Sequence, residues 1–352
     1  MKHIQKPRVA VLILGYNHRD FIIDTLRSVQ AQTYTNYHVI YIDNASTDDS
    51  VSLVRHTFPD VEAIKHPTNI GYAGGYNQTL TRVFTQEYDA AVLLNPDTVS
   101  DTHWLSELVA SAYADKTIGF AQPKIYLWEK GATNSFNTAG NEINFLGFGY
   151  CGQYKHEDDP LLTQDTEITY ASGASLLIKK EAYEMTSGFD DDFFAYLEDQ
   201  DLGWRGKLLG YTSVLSARSL LWHKYDFQKK HLNNFKFFLL ERNRFTFILK
   251  NFEIKTLLLI LPACIIMETG VLLDSIMKGY FKAKLRGYFE TAHNLRKTLH
   301  KRSLIQKTRV RTDKELFHFL NPEILFEEVD SPLLRGANIF LRCYYHIVKH
   351  LI

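Results

Sequence analysis

The chain has 352 residues, 45% hydrophobic and 23% charged; its 40 basic and 40 acidic side chains divide unevenly, 17 against 28 in residues 1–223 and 23 against 12 in residues 224–352. Such a composition supports one large hydrophobic core or two, and excludes a disordered chain, a collagen-like repeat and a disulfide-stapled miniprotein. Three isolated cysteines, Cys151, Cys264 and Cys343, with no CxxC pair, argue against a structural zinc site and for a reducing, cytosolic compartment.

Residues 1–8 are basic and lead into the apolar run at 9–14. Six apolar residues are too few for a signal-peptide core, and Gly15-Tyr16-Asn17-His18-Arg19-Asp20 stands where a cleavage site should be, so a buried strand is expected. Further strands are predicted at 37–42, 61–65, 90–94 and 118–122. Between them lie helical stretches such as 21–30, where Ile22, Ile23, Leu26 and Val29 share one face. This βαβαβ rhythm predicts a mostly parallel sheet with ligands outside the carboxyl ends of its strands. Residues 123–170, rich in Gly and Asn and without a period, predict an irregular, substrate-facing insertion. A strand at 168–179, a short helix at 180–186, a helix at 199–209 entered through an acidic turn, and an extended run at 211–222 follow.

Apolar and basic helical patterns then dominate, at 227–251, 255–278, 282–301 and 334–352. The most apolar run, 256–267, is interrupted by Pro262, ends at Glu268 and is too short for a bilayer span, so a core or interfacial helix is expected. The cations Lys278, Lys282, Lys284, Arg286, Arg296, Lys297, Lys301 and Arg302 near it would suit an anionic membrane leaflet; packing against the rest of the chain or a second copy would give the same pattern.

Polar residues just past the strands are the candidates for chemistry. Asp43 could accept a hydrogen bond from a ribose or a base N–H, or the Asp43 to Asp48 run could be a turn in which Asp48 or Thr47 caps a helix near Asp49; both can hold. Asn95-Pro96-Asp97 follows a buried strand, and Asp97 would suit a magnesium-like cation that completes its shell with phosphate and water, although such a turn can also be only a turn. The glycine-rich run at 69–77 precedes a helical stretch and would let a phosphate or sugar approach the backbone. It matches neither the dinucleotide nor the ATPase phosphate-loop pattern. Among Asp190, Asp191, Asp192, Glu198, Asp199 and Asp201, one acid can cap a helix; a general base sheltered by Phe193, Phe194, Tyr196 and Leu197 is the sharper reading. His223, read locally, is a hydrogen-bonded core histidine.

The segments VLILGYN (11–17), SVQAQTY (28–34), IDNASTDDS (42–50), NIGYAGGYN (69–77), LLNPDT (93–98), SGASLLIKKEAYEMTSGFDDDFFAYLEDQDLGWR (172–205) and WHK (222–224) together resemble the family-2 glycosyltransferases of GT-A fold, most closely their rhamnosyltransferase-like branch. The resemblance implies an α/β GT-A catalytic domain at 1–226, with a nucleotide-binding half to about 122 and an acceptor half at 123–226. A basic helical region at 227–352 lies beyond its reach.

By the same resemblance Asp43 grips the nucleobase. The DxD element falls on Asn95-Pro96-Asp97 with Asn in place of the first Asp, which leaves Asp97 as metal ligand and Asn95 as a neutral contact, and implies weaker metal binding without donor. His223 completes the site for Mg2+ or Mn2+, and Tyr16, Asn17, Asn69, Gly71, Gly74 and Asn77 are expected to line the donor. Asp199 is the implied base, with Glu198 and Asp201 supporting it. The QxxRW signature of processive synthases is replaced by Glu241-Arg242-Asn243-Arg244, which implies transfer of one sugar or a few.

The implied reaction is inverting transfer of rhamnose or a hexose from a dTDP- or UDP-linked donor to a glycan or polyprenyl-linked acceptor in cell-surface polysaccharide synthesis. Peripheral contact with the inner membrane face or a homodimer is expected through the C-terminal helices, with no nucleic-acid partner. A sugar-1-phosphate nucleotidyltransferase would carry a glycine-rich phosphate loop where Leu14-Gly15-Tyr16-Asn17 stands. A non-catalytic glycan-binding relative would tolerate losing Asp43, Asp97, Asp199 and His223.

Overall fold

Branched aliphatic runs become strands, and amphipathic runs become helices laid on them. The computed structural model describes residues 6–224, 232–325 and 332–352. The domain boundary expected at 226/227 lies outside the described residues, as does the expected helix start at 227. In chain order come β1 (Val9–Gly15), α1 (Arg19–Gln30), β2 (Tyr37–Asp43), α2 (Ser50–Thr57), β3 (Glu62–Lys65), α3 (Gly71–Thr85), β4 (Ala90–Leu94), β5 (Thr98–Ser100), α4 (Trp104–Ala112) and β6 (Ile118–Trp128). Next are β7 (Ala132–Thr138), β8 (Asn141–Asn144), β9 (Gly149–Cys151), β10 (Thr166–Ile168), β11 (Ser175–Lys179), α5 (Lys180–Thr186), α6 (Glu198–Leu208) and β12 (Thr212–His223). The C-terminal layer is α7 (Asn234–Asn251), α8 (Ile254–Met277), α9 (Phe281–His293), α10 (Leu295–Thr308), α11 (Asp313–Leu316), β13 (Leu320–Asn321) and α12 (Pro332–Leu351).

The main sheet has the order β10-β12-β6-β11-β4-β1-β2-β3, with β5 on β12 and β7 on β6. Strands β1 to β4 are mutually parallel, and β11 enters antiparallel between β4 and β6. One face is covered by α1, α2 and α4 through Ile22, Leu26, Val54, Trp104 and Leu108; the other by α3 and α5 through Tyr76, Leu80, Val83 and Ala182. A third apolar cluster joins Ile143, Phe145, Trp204 and Leu208 to Phe247, Phe252, Ile260, Leu341 and Tyr345, so the C-terminal helices share a core with α6 and the β8–β9 hairpin.

Four expectations are corrected. Residues 123–170 are not irregular: β6 runs on to Trp128, β7 returns along it with Tyr126 opposite Phe136, and β8 and β9 form a small separate sheet with β13. The polar run ATNSFNT carries no strand period, and backbone pairing with β6 makes it a strand. The single strand expected at 168–179 is two, β10 at the sheet edge and β11 in its middle, with a crossing between them. The glycine run is no turn before a helix, because α3 begins at Gly71. Finally, α8 is one helix of 24 residues, about 36 Å, long and apolar enough to cross a membrane by length and composition. Glu268 does not end its apolar face, because its carboxylate turns inward to Arg244 and Lys284.

The uneven charge is matched in part within the chain. Lys250 Nζ lies 2.5 Å from Asp190 and 2.9 Å from Asp201, Lys301 pairs with both Asp190 and Asp192, and Lys297 reaches Asp192 at 2.5 Å. Of the eight cations expected to face a membrane, Lys284 and Arg302 are buried, and Lys297 and Lys301 are held by these acids.

Candidate active site

Parallel strands end on a common edge, and neighbours β2, β1 and β4 place their carboxyl ends there with Gly15 opposite Asp43 and Ile13 opposite Leu94. Two strand spacings separate Asp43 from Asn95, about 10 Å. Asp43 is fully buried and its carboxylate accepts the Ser46 N–H at 3.2 and 3.3 Å, which gives it the turn role. Asn17, at φ +58, ties this turn to β1: its Oδ1 accepts the Thr47 N–H at 2.8 Å and its own N–H donates to Ser46 Oγ at 2.9 Å. Asp48 accepts from the N–H and hydroxyl of Ser50 in the first turn of α2. Tyr16 stands exposed at the rim.

Asn44, which the sequence reading passed over, bridges to the glycine run. Its Nδ2 donates to Asn69 Oδ1 and Gly71 O, both at 3.0 Å, and its Oδ1 accepts the Ile70 N–H. Asn69 and Gly71 are thereby fixed beside Asp43. Two expected donor contacts sit elsewhere. Gly74 is packed inside α3 against Ile70, and the Asn77 amide is taken by Phe189 and Asp191.

At the end of β4 the expected metal ligands meet. His223 pairs with Thr98 across β12 and β5, and this register brings its Nε2 to 3.1 Å from Asp97 Oδ1 and 3.5 Å from Asn95 Nδ2. Its Nδ1 lies 3.2 Å from Asn137 Oδ1, on β7. Nε2 thus lies between a carboxylate oxygen and an amide nitrogen, and a cation could sit between it and Asp97. The separation fits a cation: adjacent corners of an octahedron with bonds of about 2.1 Å are roughly 3 Å apart. Asn137 would orient the imidazole from behind, a position local sequence could not reveal. Among the described residues no group of three or more His, Cys, Asp or Glu gathers at one point, so phosphate oxygens and water would have to complete the shell.

The acidic pair opens α6 beside this turn. Asp199 Oδ2 accepts the Gly173 N–H at 2.9 Å and Oδ1 the Gln200 N–H at 2.8 Å. The next residue, Ala174, accepts the Asn95 N–H at 3.0 Å, so the candidate base and the candidate metal turn hang on the same short segment. Tyr72 closes over it by donating to Gly173 O at 2.6 Å; a Cβ at Gly173 would lie 2.6 Å from that hydroxyl.

Burial raises the carboxyls of both Glu198 and Asp199 above their ordinary values. For Glu198 the neighbouring Asp199 charge adds to this, and its Oε2 has no hydrogen-bond partner among the described residues; for Asp199 the Gly173 and Gln200 N–H groups oppose it. Both are raised, Glu198 the further, so of the two Asp199 gives up its proton more readily. Asp201 is not at the site: it faces the C-terminal layer, paired with Arg205 and Lys250 and bonded to Asn251.

The backbone leading to this pair is strained. Phe194 has φ +62 and ψ −65 with the Ala195 N–H closing onto Phe193 O at 2.7 Å, a tight γ-turn of the rare positive-φ form, and Tyr196 and Leu197 follow at φ +68 and +63. Non-glycine residues in such conformations cost on the order of 1–3 kcal/mol each and gather at functional sites.

Residues 10–184 match the family model described as glycosyl transferase family 2. The chain belongs to glycosyltransferase family 2. It is a glycosyl transfer enzyme. It is 24% identical over 231 residues to the N-acetylglucosaminyl-diphospho-decaprenol L-rhamnosyltransferase of Mycobacterium tuberculosis, covering 61% of this chain and 75% of that protein. To rhamnosyltransferase WbbL of Escherichia coli it is 22% identical over 212 residues, 57% of this chain and 78% of the relative. Among solved structures, Staphylococcus aureus TarS 1–349 in complex with UDP superposes with TM-score 0.51 at 16% identity over 97% of this chain and 90% of that one. GalNAc-T7 with UDP, GalNAc and Mn2+ superposes with TM-score 0.57 at 13% identity over 70% of this chain, which spans 48% of that one. These two likenesses establish the GT-A-type fold.

Because Glu198 holds its proton more tightly folded than unfolded, the folded state binds more protons above the ordinary Glu range, and stability falls as pH rises through that window. Glu198→Gln removes the penalty. It should leave the unfolding free energy little changed at about pH 4.5 and raise it at about pH 7.5, by about 1.4 kcal/mol for each unit of upward shift. Urea titrations at the two pH values check this; equal effects at both would contradict the assignment.

Proposed function

We propose that this enzyme transfers one sugar, rhamnose or a hexose, from a dTDP- or UDP-linked donor to a hydroxyl of a glycan or polyprenyl-linked acceptor in cell-surface polysaccharide synthesis, at the cytoplasmic face of the membrane. The observation that carries the reading is the meeting of Asp97 and His223 with Asp199 through the 172–174 segment. The names of the mycobacterial and Escherichia coli relatives support the sugar, and the mycobacterial name supports the acceptor class.

Asp199, half-buried and held by two N–H groups, keeps lone pairs for the proton of the acceptor hydroxyl. As that oxygen bonds to the anomeric carbon, the bond to the nucleoside diphosphate breaks on the opposite side, and a single displacement inverts the centre. Asp97 and His223 would hold Mg2+ or Mn2+, which when bound supplies positive charge against the departing diphosphate. Asn95 in place of an acid removes one negative charge, so metal affinity should depend on the diphosphate. A nucleotidyltransferase is disfavoured because Asn17 ties the turn after β1 to Ser46 and Thr47.

Peripheral membrane contact is supported by α8. Its solvent side carries Leu258, Leu261, Ile265, Ile266, Leu273 and Ile276, all exposed, and Lys255, Lys278, Lys282 and Arg286 remain exposed beside them. An apolar stripe flanked by cations suits a helix lying in an anionic interface.

Asp199→Asn should lower kcat by about 1,000-fold or more while leaving nucleoside diphosphate affinity within about twofold; steady-state kinetics with calorimetric titration separate the two, and unchanged turnover removes Asp199 from its role. Asp97→Ala should abolish the Mn2+-dependent part of nucleoside diphosphate binding in the same titration. With anionic phospholipid vesicles at low salt the chain should co-sediment, and Leu261→Asp with Ile265→Asp should release it; a wild-type chain left in the supernatant counts against membrane contact.

A further inference from the structure

If Asp199 is the base, as proposed above, something must hold the strained backbone that presents it. Residues 193–197 contain no glycine, yet Phe194, Tyr196 and Leu197 all have positive φ, a state that persists only where the surroundings over-determine it. Two elements do so. From α3, the Ala73 N–H donates to Phe194 O at 3.1 Å, and a Cβ on Gly71 would come within 2.3 Å of that same oxygen. From α7, Asn243 Nδ2 donates to Phe193 O at 3.0 Å, Ala195 O at 2.9 Å and Tyr196 O at 2.7 Å. Its neighbour Arg242 donates through Nη2 to Asp192 O at 2.7 Å and Phe193 O at 3.0 Å.

The Asn243 amide cannot turn over without losing its partners. Its Oδ1 accepts from Arg242 Nε at 3.0 Å and Nη2 at 2.8 Å, and a guanidinium has no acceptor to offer the NH2 group. The side chain is buried. We infer that Asn243, oriented by Arg242, is a positioning residue that fixes the γ-turn and the left-handed residues after it, and so aims the Asp199 carboxylate at the acceptor hydroxyl. The four-residue run that replaces the processive signature divides its labour: Arg242 and Asn243 face the loop, while Glu241 and Arg244 pair with Lys284 and Glu268 in the helical layer.

Asn243→Ala should lower kcat roughly 100-fold, the scale of a small misplacement of a reacting group, with nucleoside diphosphate affinity unchanged within about twofold. Adding Tyr196→Gly to that variant should restore part of kcat, because glycine takes φ +68 without steric cost. Hydrogen exchange of the 193–199 amides should accelerate in Asn243→Ala while β1 and β4 stay protected. The inference is overturned if kcat and loop exchange are unchanged, or if diphosphate affinity falls in step with kcat and Tyr196→Gly restores nothing, which is the pattern of a merely structural residue. Should Asn243→Ala not fold, Arg242→Ala, at a half-buried position, carries the same tests. The exchange measurement needs no acceptor, so a wild-type chain that transfers no sugar would refute the catalytic reading separately from the clamp.

Discussion

One reversal of strand direction makes the site. Were β11 parallel to β4, its carboxyl end would lie at the functional edge and its helix would follow there. Because it is antiparallel, with Ser175 opposite Leu94, its entry lies at that edge instead, and the residues just before it come to rest beside Asn95-Pro96-Asp97. The Asn95 N–H then bonds to Ala174 O and the Gly173 N–H to the Asp199 carboxylate, so two candidate site elements separated by about a hundred residues of chain share one short segment of backbone. Gly173 and Gly71 are two places beside the site where the chain comes too close for a side chain.

The acids of residues 190–201 owe their separate roles to what surrounds them. Asp190, Asp192 and Asp201 meet lysines and an arginine brought by α6, α7 and α10, and the first of these cations, Lys250, is wholly enclosed. Buried pairs of this kind repay their desolvation poorly but are strongly destabilising to break, so they hold the helical layer in one register rather than adding much net stability. Glu198 and Asp199 meet no cation among the described partners. The same layer that neutralises three acids leaves two uncompensated, and places Asn243 and Arg242 over the turn between the groups.

The parts of this arrangement written in local pattern were legible. Uninterrupted apolar runs gave β1, β2 and β4 nearly to the residue, because strands buried on both faces leave no period to misread. His223 alone looked like a core histidine; only its register against Thr98 puts it on Asp97, and that pairing joins residues 125 positions apart. The strand β7 was invisible because its Asn and Ser residues break any apolar alternation and its place is decided by β6. The turn at 193–197 was invisible for the opposite reason: positive φ is ordinarily announced by glycine, and here it is imposed on Phe, Tyr and Leu by hydrogen bonds from distant helices. The apolar length of α8 was underestimated because Glu268 reads as a break, although its charge is turned inward and the outer face continues past it.

Strain and ionisation meet at Glu198 and Asp199. Two adjacent carboxyls without a cation beside them each raise the cost of ionising the other, and nothing in their side-chain chemistry says which gives up its proton first. Backbone biases the choice: the Gly173 and Gln200 N–H groups stabilise charge on Asp199, whereas Glu198 has its own N–H and an Oε2 without a partner among the described residues. The Asp199 carboxylate meets those N–H groups from the first turn of α6, whose cap, Leu197, is left-handed. Relaxing the loop would therefore move the Asp199 carboxylate and alter the hydrogen bonds that set it apart from Glu198. The conformational cost stored at 194, 196 and 197 thus goes into holding the hydrogen bonds by which two similar acids come to differ.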